Sequence, residues 1–186
     1  MLFPELKTSR LILRQARDTD LPRLVAYANT YEVASMLSGM PHPFTEEDGK
    51  FFINRAKTNK PKDVVLWVID DGTGLVGTIW AKFDGPKCWT GYWLGKPHWG
   101  NGYMSEALQA TLSYAFALRD VSLFSAGVFN DNPASYRLLE KMGFHRVGLE
   151  TISSKGRGGA EIPHILLELP KDAFIAATKV LEGADL

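Results

Sequence analysis

WTGYWLGKPHWGNGYMSEALQATLSYAF, residues 89–116, decides how this chain folds. Trp89 to Leu94 is rich in aromatic and branched residues and reads as a strand. Met104, Ala107, Leu108, Thr111, Leu112, Ala115 and Phe116 then recur at helical spacing. Between them, Gly100 and Gly102 let the backbone turn tightly with no Cβ in the way, so successive N–H groups and the helix N-terminus can point at a phosphate. Strand, glycine turn and helix together form an anion cradle.

Working outward, Arg10 to Gln15 alternates as a first strand, followed by a helix over about Asp20 to Asn29. A loop containing Pro41-His42-Pro43 precedes a second helix from Thr45 to about Asn59. Val64 to Ile69 and Leu75 to Lys82 are strands joined by the turn Asp70-Asp71-Gly72-Thr73-Gly74. After the long helix, Ser122 to Phe129 is the fifth strand. Asn132 then suits an N-cap and Pro133 the first helical position, and the helix should end at Met142 before Gly143. A sixth strand starts at Phe144, the loop Lys155 to Gly159 follows, and the last strand is His164 to Leu169. From Pro170, the spacing of Ala173, Phe174, Ala177, Val180 and Leu181 predicts an amphipathic helix. The order β-α-α-β-β-β-α-β-α-β-β predicts an α/β sheet mixing hairpins with helical crossovers. One domain over 1–186 is expected, with a core of about 8–169 and a helical tail at 170–186.

Composition narrows the function. Lys plus Arg and Asp plus Glu are 21 each, which argues against a general electrostatic grip on nucleic acid. No stretch approaches the roughly 20 apolar residues of a membrane span, and no signal-like run opens the chain, so a cytoplasmic location is expected. Cys88 is the only cysteine and His42, His98, His145 and His164 are scattered, so no metal site is expected. The segment lacks G-x-x-x-x-G-K-[ST], and Ser105 stands where a dinucleotide fold has its third glycine.

TSRLILR (8–14), GYW followed by HWGNGYMSEAL (91–108) and NDNPASYRLLEKMGF (130–144) resemble the GNAT superfamily of N-acetyltransferases, most of all its Rim-type ribosomal-protein branch. The resemblance implies a mixed, mostly antiparallel central sheet whose fourth and fifth strands splay apart around the pantetheine of acetyl-CoA. Tyr92, Trp93 and Leu94 would line that arm, while Trp99, Gly100, Asn101, Gly102, Tyr103, Met104 and Ser105 would hold the pyrophosphate. The superfamily pattern Q/R-x-x-G-x-G/A places Trp99 first, Gly102 fourth and Met104 sixth, so the chain departs from it at Trp99 and Met104. Binding through backbone N–H groups is still expected.

Amide formation from a thioester needs a neutral amine, stabilisation of an oxyanion and a proton for the leaving thiolate. Asn132 and Ser135 match the N-x-x-S of the Rim-type branch, which implies Ser135 near the CoA sulfur. Many relatives carry Tyr seven residues after that Asn. Here the position is Leu139, and Tyr136 is the fallback. The resemblance assigns the oxyanion to a backbone N–H near Leu94. For the base, Glu161 is preferred over Glu150, His98 or a water chain, because it follows the flexible glycine loop. The acceptor expected from the resemblance is a primary amine, first a ribosomal or other protein N-terminus, with the Pro41–Phe44 loop as one wall of its site. Small amines and antibiotics stay open as acceptors, as do an acyl-CoA sensor without turnover and a small interaction domain. The protein is expected as a monomer or homodimer.

Overall fold

Val64–Asp70 is apolar at nearly every position because both faces of this strand are covered: Val65, Trp67 and Ile69 enter one core while Leu66 and Val68 enter another. The computed structural model describes residues 2–183, with side chains to residue 178. In chain order the elements are β1 (Leu6–Lys7), β2 (Ile12–Arg14), α1 (Leu21–Ala28), α2 (Tyr31–Ala34), α3 (Glu46–Thr58), β3 (Val64–Asp70), β4 (Leu75–Asp84) and β5 (Lys87–Leu94). They continue with α4 (Tyr103–Leu118), β6 (Leu123–Phe129), α5 (Pro133–Lys141), β7 (His145–Ser154), β8 (Ala160–Pro170) and α6 (Lys171–Gly183).

The eight strands form one sheet in the order β1-β2-β3-β4-β5-β6-β8-β7. Every neighbouring pair is antiparallel except β5–β6, which is parallel. Leu24, Ala28, Val33, Ala34, Ile53 and Ala56 of α1–α3 pack with Leu66, Val68, Leu75 and Trp93 on one face. Helices α4, α5 and α6 cover the other face through Met104, Leu108, Leu112, Phe116, Leu139 and Phe174.

The parallel pair is where the sheet opens. Lys87, Cys88 and Trp89 pair with Leu123, Phe124 and Ser125, and the ladder stops there although the strands run on to Leu94 and Phe129. Beyond Trp89 the two strands part, leaving a slot. These are the fourth and fifth strands counted from Ile12, the short β1 being the one that the sequence reading lacked.

Several boundaries differ from the sequence expectation. The first predicted strand keeps only Ile12–Arg14, because the Arg10 N–H is taken by Glu106 Oε1 at 2.8 Å rather than by a strand. Helix α2 has four residues, too short to show a period. The last strand begins at Ala160 instead of His164. Pro163 lies within the observed strand, and its carbonyl accepts from the Asn130 N–H at the end of β6, where Phe129–His164 is the last pair. Its missing N–H therefore falls past the end of that ladder. In the tail, Phe174 packs on Phe116 with ring centroids 5.3 Å apart, and the side chains of Val180 and Leu181 lie outside the described residues.

Candidate active site

Strand alternation sends Tyr92 and Leu94 toward α4 and α5 and Trp93 toward α1–α3. At the slot, the Tyr92 hydroxyl meets Ser135 Oγ at 2.9 Å. Ser135 sits in the first turn of α5, whose N-cap Asn132 accepts the Ser135 N–H through Oδ1 at 3.2 Å. Burial pushes the Tyr92 phenol up to about 12, against a smaller opposite pull from its hydrogen bond with Ser135. It therefore stays protonated at neutral pH, a hydroxyl donor in a poorly hydrated place. At the end of β5, Gly95 donates its N–H to the Val76 carbonyl of β4 at 2.8 Å. The alternation of a strand then turns the Leu94 N–H the other way, into the slot.

The turn that follows is the one expected to form the cradle. Gly100 and Gly102 have φ of 78° and 77°, a left-handed conformation that a Cβ disfavours. Gly102 is the N-cap of α4, and no side chain caps that helix, whereas Thr45 caps α3 and Asn132 caps α5. The first-turn N–H groups of α4 thus have no side-chain cap. The surroundings hold the turn in place: Arg10 donates to the Asn101 carbonyl at 2.9 Å and to Glu106 at 2.7 Å, and its guanidinium lies 5.0 Å from the Tyr103 ring centre. Trp99, where the motif has Gln or Arg, donates Nε1–H to the Leu94 carbonyl at 2.8 Å and so ties the turn back to β5. Burial pulls the Glu106 carboxyl up, but hydrogen bonds from Thr8, Arg10 and Ser9 overcome it, holding the group below its ordinary range.

A strand pair that parts beside an uncapped, glycine-led helix is also where the sequence comparison falls. A model of the acetyltransferase (GNAT) domain matches residues 10–145. The chain belongs to the GNAT acetyltransferase family. It is similar to YoaA of Bacillus subtilis, an uncharacterized N-acetyltransferase, with 35% identity over 153 residues, covering 80% of this chain and 86% of YoaA. A GNAT-family acetyltransferase from Bacillus anthracis superposes with a TM-score of 0.79 at 26% identity, over 91% of this chain and 99% of that one. RimL, a ribosomal L7/L12 alpha-N-protein acetyltransferase solved with coenzyme A, shares the fold at a TM-score of 0.77 and 19% identity, over 91% and 99% of the two chains.

Within this GNAT fold, the residues singled out from the sequence fall in different places. Tyr92, Asn132 and Ser135 come together. Tyr136 packs partly buried against the core, and Leu139, at the family's tyrosine position, is 1% exposed within that core. Glu161 is exposed on β8, on the side of that strand that also carries Leu167 and Leu169 and away from His164, because strand faces alternate. His98 Nε2 lies 3.1 Å from the Tyr27 hydroxyl and anchors the cradle loop to α1.

Two arrangements escaped the sequence reading. Arg157, in the β7–β8 turn, donates to the Ser35 carbonyl at 2.6 Å and makes a two-bond pair with Asp131 at 2.6 and 3.0 Å. Its hydrogen bond, opposed by a smaller burial effect, holds the Asp131 carboxyl below its ordinary range. This strap joins the hairpin tip to the segment after α2 and to the residue before Asn132. The second is His164, whose Nδ1 lies 3.1 Å from Glu150 Oε1. Both pairs join residues far apart in sequence, and the only local signal was the glycine loop 156–159 that brings β7 and β8 side by side. Among the described residues, no group of three or more His, Cys, Asp or Glu is placed to hold a metal, and no helix is long and apolar enough to cross a membrane.

Proposed function

We propose that this acetyltransferase moves the acetyl group of acetyl-CoA to a protein N-terminal α-amine by direct attack within a ternary complex. The observation that carries the reading is the Tyr92–Ser135 hydroxyl pair at the point where β5 and β6 part. The slot accommodates the pantetheine arm, with Tyr92, Trp93 and Leu94 along one wall. The Gly100–Ser105 turn and the uncapped start of α4 take the pyrophosphate. The Leu94 N–H meets the oxyanion, and the hydroxyl pair supplies the proton to the leaving thiolate. Where many relatives bring a tyrosine from the helix, this chain has buried Leu139 and brings its phenol from β5 instead.

The α-amine assignment rests on the likeness to RimL and on ionisation. An α-amine titrates near pH 7.7–8.0 and a lysine near 10.4, so at pH 7 roughly a tenth of the former is neutral against under a thousandth of the latter. The segment from Ser35 to Phe44 forms the acceptor wall. It is tied down by Lys155 N–H to the Ser38 carbonyl at 3.0 Å, by Phe44 N–H to Asn29 at 2.8 Å and by the Arg157 strap. Peptides with a free α-amine and blocked lysines should exceed N-terminally blocked peptides with free lysine by at least about tenfold in kcat/KM at pH 7. A consistent preference for the blocked-terminus peptides removes the α-amine assignment. Tight acetyl-CoA binding without turnover on any amine removes the transferase role.

The cradle has its own test. Gly102→Val should raise the acetyl-CoA Kd by at least about tenfold, or about 1.4 kcal/mol, because the new side chain crowds the turn and unseats its φ of 77°. The same strain lowers stability by about 1–2 kcal/mol. Gly85→Val, at a φ of 55° in the exposed β4–β5 turn at the other end of β5 from Leu94, should cost similar stability and leave the Kd unchanged. Equal calorimetric affinities in the two variants would put the pyrophosphate elsewhere.

A further inference from the structure

The candidate site has an acid on one face of the sheet and needs a base on the other. Ser125, Gly127 and Phe129 of β6 pair in register with Glu168, Leu166 and His164 of β8. Paired residues share a face, and this face is opposite the one where Phe124, Ala126 and Val128 join the α4–α5 core. Tyr92 and Ser135 are on the α4–α5 side of the slot. His164 is on the other side, the side of Trp93 and of the Ser35–Phe44 wall.

We propose that His164 is the general base of the transfer, seated by Gly127 and oriented by Glu150; this rests on the acetyltransferase reading above. Its imidazole leans from β8 across β6, the strand that walls the slot. A Cβ at position 127 would collide with the Cε1–Nε2 edge of the ring, at 2.5 Å from Nε2, so only glycine leaves room for the ring to lie there. Gly127 is two residues past Ser125, the last β6 residue paired with β5, so the ring lies where the slot is already open. Phe129 meets the ring edge-on with centroids 5.6 Å apart. The side chain keeps 15% of its surface exposed.

The tautomer follows from the partner. Glu150, opposite His164 in the β7–β8 register, accepts the Nδ1 proton at 3.1 Å. That leaves the lone pair on Nε2, which has no hydrogen-bond partner among the described residues. The other charged groups around it are few. On this face β6 presents Leu123, Ser125, Gly127 and Phe129, none of them charged, and Glu168 is four residues along β8 from His164, paired with Ser125. Arg157 of the β7–β8 turn stacks over Phe129 at 5.1 Å and is neutralised by Asp131. Glu161 faces the opposite side, and His98 is held by Tyr27 on the cradle loop.

In the step, the amine nitrogen bonds to the thioester carbonyl carbon and its proton passes to His164 Nε2. The C–S bond breaks with its electron pair on sulfur, which takes a proton from the Tyr92–Ser135 pair. His164 releases its proton to water and the hydroxyl pair regains one. Attack and departure are thus served from opposite faces of the sheet. Glu150 is a positioning residue, acting through the ring.

The test uses the full chain with acetyl-CoA and a peptide acceptor. His164→Gln, which keeps a polar side chain opposite Glu150, should lower kcat about a hundredfold with the acetyl-CoA Kd and the melting temperature close to wild type. Gly127→Ala, which displaces the ring without touching it chemically, should reproduce most of that loss. The double variant should be no worse than His164→Gln, since the two changes remove one function. Glu150→Ala, which removes the acceptor of the Nδ1 proton, should lower kcat about tenfold with the peptide KM and the acetyl-CoA Kd unchanged, a split that a loss of packing alone does not give. Wild-type kcat and an unmoved pH profile in folded His164→Gln overturn the inference while the acetyltransferase reading stands. A wild type that binds no acetyl-CoA and acetylates no amine overturns both.

Discussion

Tyr92→Phe combined with Ser135→Ala is expected to lower kcat by about 10²–10³, or about 2.7–4 kcal/mol of transition-state stabilisation, while acetyl-CoA binds as before. The two hydroxyls lie 2.9 Å apart, and burial keeps the phenol protonated by raising it to about 12. A leaving thiolate develops charge only as the C–S bond breaks, so the hydrogen bond it receives matters mostly in the transition state and appears in kcat. Removing Ser135 Oγ also leaves the Tyr92 hydroxyl without its protein partner in a buried place. The pair should therefore behave as a unit, with Ser135→Ala alone accounting for most of the loss and Tyr92→Phe adding less than its own single effect. Single-turnover kinetics with calorimetry on the three variants measures this. Wild-type kcat in the double variant excludes the pair as the acid, and a large loss in Tyr136→Phe in its place would transfer the role to the neighbouring side chain.

The largest loss of stability is expected from Arg14→Ala, at about 3–5 kcal/mol near neutral pH. The guanidinium, 5% exposed, donates to Asp20 at 2.8 and 2.9 Å and to Asp70 at 2.7 Å, and the carboxylates are 4% and 13% exposed. Through it β2, the turn before α1 and the end of β3 are joined. Alanine leaves two carboxylates sheltered from water with their counter-charge gone. Burial pulls the Asp70 carboxyl up, but the Arg14 hydrogen bond, followed by the Gly72 N–H, Arg14's charge and the Gly74 N–H, outweighs it and holds the group below its ordinary range. A carboxyl depressed by folding stabilises the native state above its unfolded pKa, near 3.9 for Asp, and that contribution is lost as pH falls through the folded value. Wild-type stability should thus decline below about pH 4, whereas in Arg14→Ala protonation relieves an unpaired charge and the gap between the proteins narrows. Urea denaturation at pH 7 and pH 3.5 reads both effects. A deficit below about 1 kcal/mol at pH 7 would mean that water reaches the two carboxylates as at an exposed ion pair.

Much of the architecture was legible in consecutive residues. The apolar run Val64–Ile69 announced a strand. Asn132-Pro133 marked the start of α5 to the residue, and Gly100 and Gly102 marked the turn before α4. Such signals are local: a cap, a period or a positive φ is set by residues within a turn or two of one another. The short or irregular pieces were harder, since four residues of α2 show no period and Pro163 lies within β8, just past its last pair with β6.

The chemistry of the site was decided by the tertiary structure. Tyr92 and Ser135 are 43 residues apart, Arg157 and Ser35 122 apart, and Glu150 and His164 14 apart. The sequence alone determined that hydroxyls, histidines and carboxylates were available, with the glycine turn before α4 already recognisable. Which of them meet depends on the sheet order β5-β6-β8-β7 and on the early end of the β5–β6 ladder. That order places β8 on the far side of β6 from the slot and carries His164 across β6, over a residue that must be glycine. No local period encodes it, because it arises from burying two helical layers on opposite faces of one sheet at once.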